Sequence, residues 1–285
     1  MKVLILGVSG MLGSTVFRQL SSDAKYEVWG TIRQTNGLDF FPKSSHAFLL
    51  KNVDVLNYDS LVSVFNQVKP DIVINCIGLI KQFTGASDPL STLPINAMLP
   101  HQLGQLCSLI NARLIHISTD CVFNGRKGMY HEEDISDAED LYGKSKYIGE
   151  LHDLSYAVTL RTSIIGHELS SQTSLVDWFL SQENEVKGYK KAIFSGLPTV
   201  ELADVIKDYV IPNTSLSGLY HVSVDPIDKY TLLNLIADVY KKKIKVEADN
   251  KVQIDRSLDS NKFRQETGYE PPSWHKLIKK MYRAQ

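Results

Sequence analysis

Tyr142 and Lys146 stand four residues apart in the run Tyr142-Gly143-Lys144-Ser145-Lys146. On a helix that spacing places both side chains on one face. A phenol beside an ammonium suits proton delivery to a carbonyl under reduction. Free tyrosine holds its proton to about pH 10. A nearby cation favours the tyrosinate and draws the group toward working pH. By itself the pair is also what an exposed helix shows by chance. A second cluster gives it meaning. Gly7-Val8-Ser9-Gly10-Met11-Leu12-Gly13 follows the apolar run Val3 to Leu6 and opens a helical pattern holding Val16, Phe17 and Leu20. Glycines there permit a tight turn, let backbone N–H groups approach a pyrophosphate, and let the helix pack close to the strand. The helix N-terminus then faces the phosphates. A third cluster, Ser118-Thr119-Asp120, ends the strand-like run Leu114-Ile115-His116-Ile117. A hydroxyl at that place bonds a substrate carbonyl oxygen and stabilises developing charge. Thr119 takes that role, with Ser118 as supporting contact or as a strand-end residue bonded to backbone.

These clusters need a scaffold that brings two strand ends and a helix face together. The first half supplies one, because short apolar runs alternate with helical patterns. Strands are expected at residues 3–6, 27–32, 47–53, 71–76, 113–118 and 157–161, and helices at 59–68, 95–110 and 142–151. Such alternation predicts an α/β fold of the Rossmann type, a doubly wound parallel sheet with helices on both faces. The second half reads differently, with helices at 174–180, 203–210 and 231–240 between segments rich in Gly, Pro and polar residues. Two units follow: a dinucleotide-binding domain over 1–161 and a smaller α/β substrate lobe over 162–285, with the chain crossing between them.

The chain has 285 residues, 43% of them hydrophobic, enough for one large or two modest cores. Its formal net charge of −1 leaves no electrostatic footprint for nucleic acid or an acidic membrane. Cys76, Cys107 and Cys121 are an odd number and match neither a CxxC nor a zinc pattern. They suit a reducing, cytoplasmic compartment. The run VLILGV is too short for a signal-peptide core, and no stretch reaches the length of a membrane span.

The spacing GxxGxxG resembles the extended branch of the short-chain dehydrogenase/reductase superfamily. In that resemblance Gly7, Ser9, Gly10, Met11, Leu12 and Gly13 form the cofactor turn. Arg33, past the second strand with no acid beside it, fits a 2′-phosphate and so favours NADPH over NADH, although a solvated surface arginine reads the same way. Asp54 and Val55 resemble the adenine contact, with a capping or loop role as the alternative for Asp54. Asn75-Cys76-Ile77-Gly78 resembles the loop that lines the cofactor, and Lys146 bonds its ribose. The resemblance then narrows. Residues 118–125, Leu160-Arg161-Thr162-Ser163, Pro198-Thr199 with Leu202-Ala203-Asp204, and Arg256-Ser257-Leu258-Asp259 are similar to the STDYVFxG, LRTS, PT…LAD and SRLD segments of dTDP-4-dehydrorhamnose reductases. It implies reduction of a 4-keto-6-deoxyhexose carried on a nucleoside diphosphate. Lys81, Ser118, Thr119, Cys121, Arg161 and Arg256 fall on its substrate side.

The departures concern the sugar. Cys121 replaces the family tyrosine, Ile164-Ile165 stands where an aromatic pair is usual, and Ile80-Lys81-Gln82 has no rhamnose-type match. A similar subgroup, serving bacterial surface polysaccharides (O-antigen and capsule), is associated with UDP-2-acetamido-2,6-dideoxy-L-hexoses, and losing aromatic bulk makes room for the acetamido group. The 4,6-dehydratases carry Thr-Asp-Glu where this chain has Cys121 after Asp120, and the 4-epimerases retain NAD. A rival from another class is a non-catalytic NADP-binding regulatory subunit similar to that of methionine adenosyltransferase, against which Thr119, Tyr142 and Lys146 all stand. Lys190 and Lys191 are further candidate diphosphate contacts or solvated lysines. No metal site is expected: His167-Glu168 and His221 read as loop or core residues, and the acidic stretch His131 to Asp134 as a surface loop, with Mg²⁺ at a homodimer contact as its alternative.

Overall fold

The structure, a computed structural model, describes residues 1–80, 87–170 and 173–285. Its first half alternates β1 (Lys2–Leu6), α1 (Met11–Ser21), β2 (Glu27–Thr31), β3 (Leu49–Leu50), α2 (Tyr58–Val68), β4 (Ile72–Asn75), α3 (Pro89–Leu93), α4 (Leu99–Ile110), β5 (Arg113–Thr119), α5 (Leu141–Ile148) and β6 (Ala157–Thr162). The second half adds β7 (Ile164–Ile165), α6 (Leu175–Ser181), β8 (Glu185–Phe194), β9 (Leu197–Pro198), α7 (Thr199–Val205), β10 (Gly218–His221), β11 (Ile227–Asp228), α8 (Lys229–Tyr240), β12 (Lys245–Asp255), α9 (Asn261–Thr267) and α10 (Trp274–Arg283).

Among the described residues, seven strands form one parallel sheet in the order β10-β6-β5-β4-β1-β2-β3. The order reverses between β1 and β4, which opens a crevice beyond the carboxyl ends of those strands. β1 is apolar from Val3 to Leu6 because both faces of that stretch are covered. Val3 and Ile5 enter a core with Val16, Phe17 and Leu202, while Leu4 and Leu6 enter the opposite one with Leu61, Leu103 and Leu114. A second sheet, β11-β8-β12, packs on α8 through Val186, Phe194, Leu232, Leu233 and Ile236, and α10 adds Ile278 and Met281.

Several expected elements change in outline. The third strand shrinks to Leu49–Leu50, because residues 43–48 wind as a 3-10 helix and Asn52, at φ 57°, turns the chain away. The expected helix over 95–110 is interrupted. A π-helical turn, Pro94–Met98, precedes α4, and Pro94 and Pro100 lack the N–H groups that a continuous α-helix would use. The long strands β8 and β12 and the helices α9 and α10 lie where the sequence reading placed no element. β12 is largely exposed and polar, so it carries no clean alternation. β10 pairs with β6, so the large sheet takes a strand from beyond residue 161.

The turn after β1 depends on atomic closeness. A Cβ at Gly13 would stand 2.2 Å from the Gly7 carbonyl oxygen. Gly13→Ala is therefore expected to lower stability by about 1–3 kcal/mol. Gly37→Ala, where the nearest atom is an ordinary 3.6 Å away, is expected to change it by less than about 0.5 kcal/mol. Urea denaturation of both variants checks the contrast.

Candidate active site

The crevice holds a cavity of about 670 Å³. Ser9, Gly10, Met11 and Leu12 form one end of its wall, Thr119, Tyr142 and Lys146 its floor, and Phe194, Lys229 and Arg256 the side contributed by the second half of the chain. The three clusters that the sequence singled out therefore meet in one place.

The glycine turn is built from its own backbone. Gly7 sits at φ 83°, a conformation natural to glycine, and its N–H donates to the Thr31 hydroxyl at 3.1 Å. The Gly10 N–H donates to the Gly7 carbonyl at 3.1 Å. Gly10 is the N-cap of α1 and supplies no side-chain cap, so first-turn N–H groups stay available at the cavity edge. A close-packed turn with an uncapped helix end fits a dinucleotide pyrophosphate.

Opposite it, α5 lies pressed on the end of β5. Asp140 caps this helix through the Gly143 N–H at 2.8 Å. Added methyl groups at Gly143 and Gly149 would lie 2.2 Å from the Cys121 carbonyl oxygen and 2.0 Å from the Asn96 carbonyl oxygen. The closeness buries Lys146, whose ammonium donates to the Ile117 carbonyl at 2.8 Å. Burial draws Lys146 down to about 8, with Glu150 and Cys76 opposing. The Tyr142 phenol is hydrogen-bonded with Thr119, yet burial pushes it above the usual tyrosine range. Here an expectation is corrected: the phenol is not drawn down toward working pH in this arrangement. Burial prevails and Tyr142 keeps its proton. Thr119 donates to Asp120 at 3.3 Å and accepts from the Cys121 N–H at 3.1 Å. Burial raises Asp120, and Arg256 and Lys229 oppose the rise.

The loop after β4 is held by two asparagines. Asn75 donates to His116 Nδ1 at 3.1 Å and accepts from the Ile77 N–H at 3.1 Å. Asn96, fully buried, accepts from the Leu79 N–H at 2.8 Å and donates to the Leu79 carbonyl and to Ser145. It thus joins the loop carrying Cys76, Ile77 and Gly78 to α5. The sequence reading missed Asn96, whose only signal was a polar residue inside an otherwise apolar helical stretch.

Other expected residues lie elsewhere. Arg161 is not a substrate contact. It is 1% exposed, pairs through Nε and Nη2 with Glu150 at 2.8 and 2.6 Å, and covers the Phe123 ring. Ser118 reaches the cavity wall, but its hydroxyl donates to the same Glu150 at 2.6 Å, which makes it a link in that buried pair. Asp54 accepts from the Leu56 N–H and closes a turn; Asp54 and Arg33 are exposed, and neither they nor Val55 line the cavity. Cys121 and Arg256 do line it, and Arg256 is held by the Phe123 carbonyl at 2.7 Å. Lys190 and Lys191 are exposed outside it. Lys81 lies outside the described residues. His167 is tied to Asp177 at 2.6 Å and Tyr240 at 2.8 Å, His221 to the Arg161 cluster, and Glu132 accepts from the His221 N–H. Glu150 and Lys229 were missed; Glu150 had a signal, since it stands four residues after Lys146.

The family model described as the RmlD substrate binding domain matches residues 1–285. The chain belongs to that family. It is 24% identical to a dTDP-4-dehydrorhamnose reductase of Aggregatibacter actinomycetemcomitans, over 98% of this chain and 97% of that protein. It is 30% identical to the spore coat polysaccharide biosynthesis protein SpsK of Bacillus subtilis (strain 168), over 78% and 73%. It is also 28% identical to methionine adenosyltransferase 2 subunit beta of Rattus norvegicus, over 84% and 72%. Among solved structures, the fold matches a dTDP-4-dehydrorhamnose reductase from Bacillus anthracis str. Ames in complex with NADP, with TM-score 0.81, 22% identity, and 100% and 99% of the two chains covered. The corresponding values for the Clostridium acetobutylicum ATCC 824 protein are 0.81, 23%, 100% and 99%.

The buried pair gives a separable prediction. Arg161→Met leaves Glu150 charged, buried and short of its main partner, and is expected to cost about 3–5 kcal/mol. Arg256→Met, at a half-buried cavity residue, is expected to cost less than about 1.5 kcal/mol. Chemical denaturation of the two variants measures both.

Proposed function

We propose that this chain reduces the C4 keto group of a nucleoside-diphosphate-linked 4-keto-6-deoxyhexose with NADPH. One observation carries the reading: the glycine turn and the Thr119–Tyr142–Lys146 group open on a single cavity. Ser9, Gly10, Met11 and Leu12 would hold the pyrophosphate, and Cys76, Ile77 and Gly78 the nicotinamide half. Arg33, exposed just past β2, is the residue for a 2′-phosphate. Bound NADPH supplies the hydride. Thr119 orients the carbonyl oxygen, and Tyr142 gives that oxygen its proton. The Lys146 ammonium, fixed by Ile117, stabilises the tyrosinate left behind until solvent restores the proton. That Tyr142 is held protonated by burial suits a donor in reduction. Residues 1–161 serve the dinucleotide and 162–285 chiefly the sugar nucleotide. The three free thiols suit a cytoplasmic setting.

For the sugar, we favour UDP-2-acetamido-2,6-dideoxy-L-hexos-4-ulose, as a precursor of surface polysaccharide, over dTDP-4-dehydrorhamnose. Cys121, Ile164 and Ile165 all line the cavity, and their modest bulk leaves space for a C2 substituent. The likeness to methionine adenosyltransferase 2 subunit beta supports a second reading, a cofactor-binding subunit without turnover. The intact Thr119–Tyr142–Lys146 group weighs against it.

NADPH oxidation with UDP- and dTDP-linked 4-keto-6-deoxy sugars tests the proposal. Turnover is expected, and Tyr142→Phe is expected to lower kcat/KM by about 100-fold or more with NADPH binding unchanged. Tight NADPH binding with no turnover on any such sugar supports the subunit reading instead. The pH profile is a further check. Lys146 loses its charge as pH rises through about 8, while Tyr142 stays protonated. The reductive rate is therefore expected to hold below that pH and fall above it. A rate that climbs steadily to pH 10 contradicts the role given to the ammonium.

A further inference from the structure

Lys229 lies far in sequence from every motif described above, yet the fold delivers it to the cavity. β11 pairs antiparallel with β8, matching Ile227 with Phe194 and Asp228 with Ile193. Asp228 then caps α8 by accepting from the Thr231 N–H at 2.9 Å, which fixes Lys229 as the first helical residue. Its ammonium sits 4.3 Å from the centre of the Phe194 ring. That contact holds the side chain in place and satisfies none of its three donors in a directed way. No hydrogen-bond or ion-pair partner for the ammonium is found among the described residues. A half-buried cation facing a cavity without a directed partner is costly unless a ligand supplies an acceptor.

Its surroundings identify the kind of acceptor. Lys229 lies within electrostatic reach of Asp120. Asp120 receives the Thr119 hydroxyl, and Thr119 is bonded to Tyr142. The ammonium therefore belongs to the reacting end of the cavity. A carboxylate and an ammonium that line one cavity, the ammonium over an aromatic ring, offer one acceptor, one donor and an apolar surface. That set matches a hexose ring, which presents hydroxyl donors, oxygen acceptors and C–H faces.

We propose that Lys229 is a specificity-determining substrate contact, donating to an oxygen on a ring carbon near the reacting carbonyl, with Asp120 accepting from a neighbouring hydroxyl. The inference rests on reading the cavity as a sugar-nucleotide site. An acylamino carbonyl or a hydroxyl oxygen meets the same donor, so the test compares ligands with and without a sugar.

The measurement is equilibrium binding to the NADP⁺-loaded protein of dTDP-glucose and UDP-N-acetylglucosamine, against dTDP and UDP alone. Lys229→Met keeps the stem over Phe194 and removes the donor. It is expected to weaken the better-bound sugar nucleotide by about 10- to 100-fold, and the free nucleotides by less than about 2-fold. Lys229→Arg is expected to recover part of the loss. Unchanged thermal stability and NADP⁺ affinity show that the variants are folded. Equal losses on free nucleotide and sugar nucleotide overturn the proposal in favour of a phosphate contact, and unchanged affinity overturns it outright. A wild-type protein that binds these ligands but reduces no 4-keto sugar defeats the proposed reaction, while the Lys229 comparison stands. A wild-type protein that binds neither sugar nucleotide defeats both.

Discussion

The site depends on how closely α5 can lie against the end of β5. Gly143 sets that distance, since a methyl group there would overlap the Cys121 carbonyl oxygen just past β5, and Gly149 likewise sets the approach of α5 to the Pro94–Met98 turn at the Asn96 carbonyl oxygen. With the helix this near, Lys146 must be buried, and a buried ammonium needs an acceptor. The Ile117 carbonyl supplies it. The same approach sets the phenol of Tyr142 beside Thr119 at the strand end. Asn96 then fastens the loop of Cys76, Ile77 and Gly78 to α5. Cofactor side and proton-donor side are thereby held at one fixed separation.

The electrostatics follow from that packing. Burial moves the tyrosine up and the lysine down to about 8, so Tyr142 keeps its proton while Lys146 still carries its charge below that pH. His116, buried beneath the loop, is held well below its usual range by burial and by the nearby Lys146 charge. Glu150 is kept ionised instead, because Arg161, His152 and Ser118 bond it and together outweigh its burial. One carboxylate, paired with an arginine, thus anchors β5 and β6 behind the site without entering the cavity. Arginine at that strand end is a structural counterion.

Much of this was legible in the sequence, and the limits have physical reasons. The alternating apolar runs revealed the parallel sheet because its inner strands are buried on both faces. Glycine spacing and the Tyr142–Lys146 interval revealed the site because a tight turn and a helical face have fixed periods. β12 stayed hidden because it is exposed and polar, and β10 because its partner strand lies some sixty residues earlier, from Ala157. Arg161 misled because a family-like segment does not say which way a side chain turns. Lys229 was invisible for a related reason: its place in the cavity comes from pairing between β8 and β11, which no local pattern records.

Sugar-nucleotide enzymes built on a shared turn and a shared Tyr–Lys pair differ in where hydride finally rests. The reduction proposed for this chain requires net transfer to C4 of the hexose. Incubation with NADPH deuterated at the transferring position of its nicotinamide, followed by NMR of the sugar product, measures that outcome directly. Deuterium at C4, with one cofactor oxidised per sugar, is the predicted result. Product carrying no deuterium, or interconversion of sugars with no net oxidation of cofactor, would contradict it.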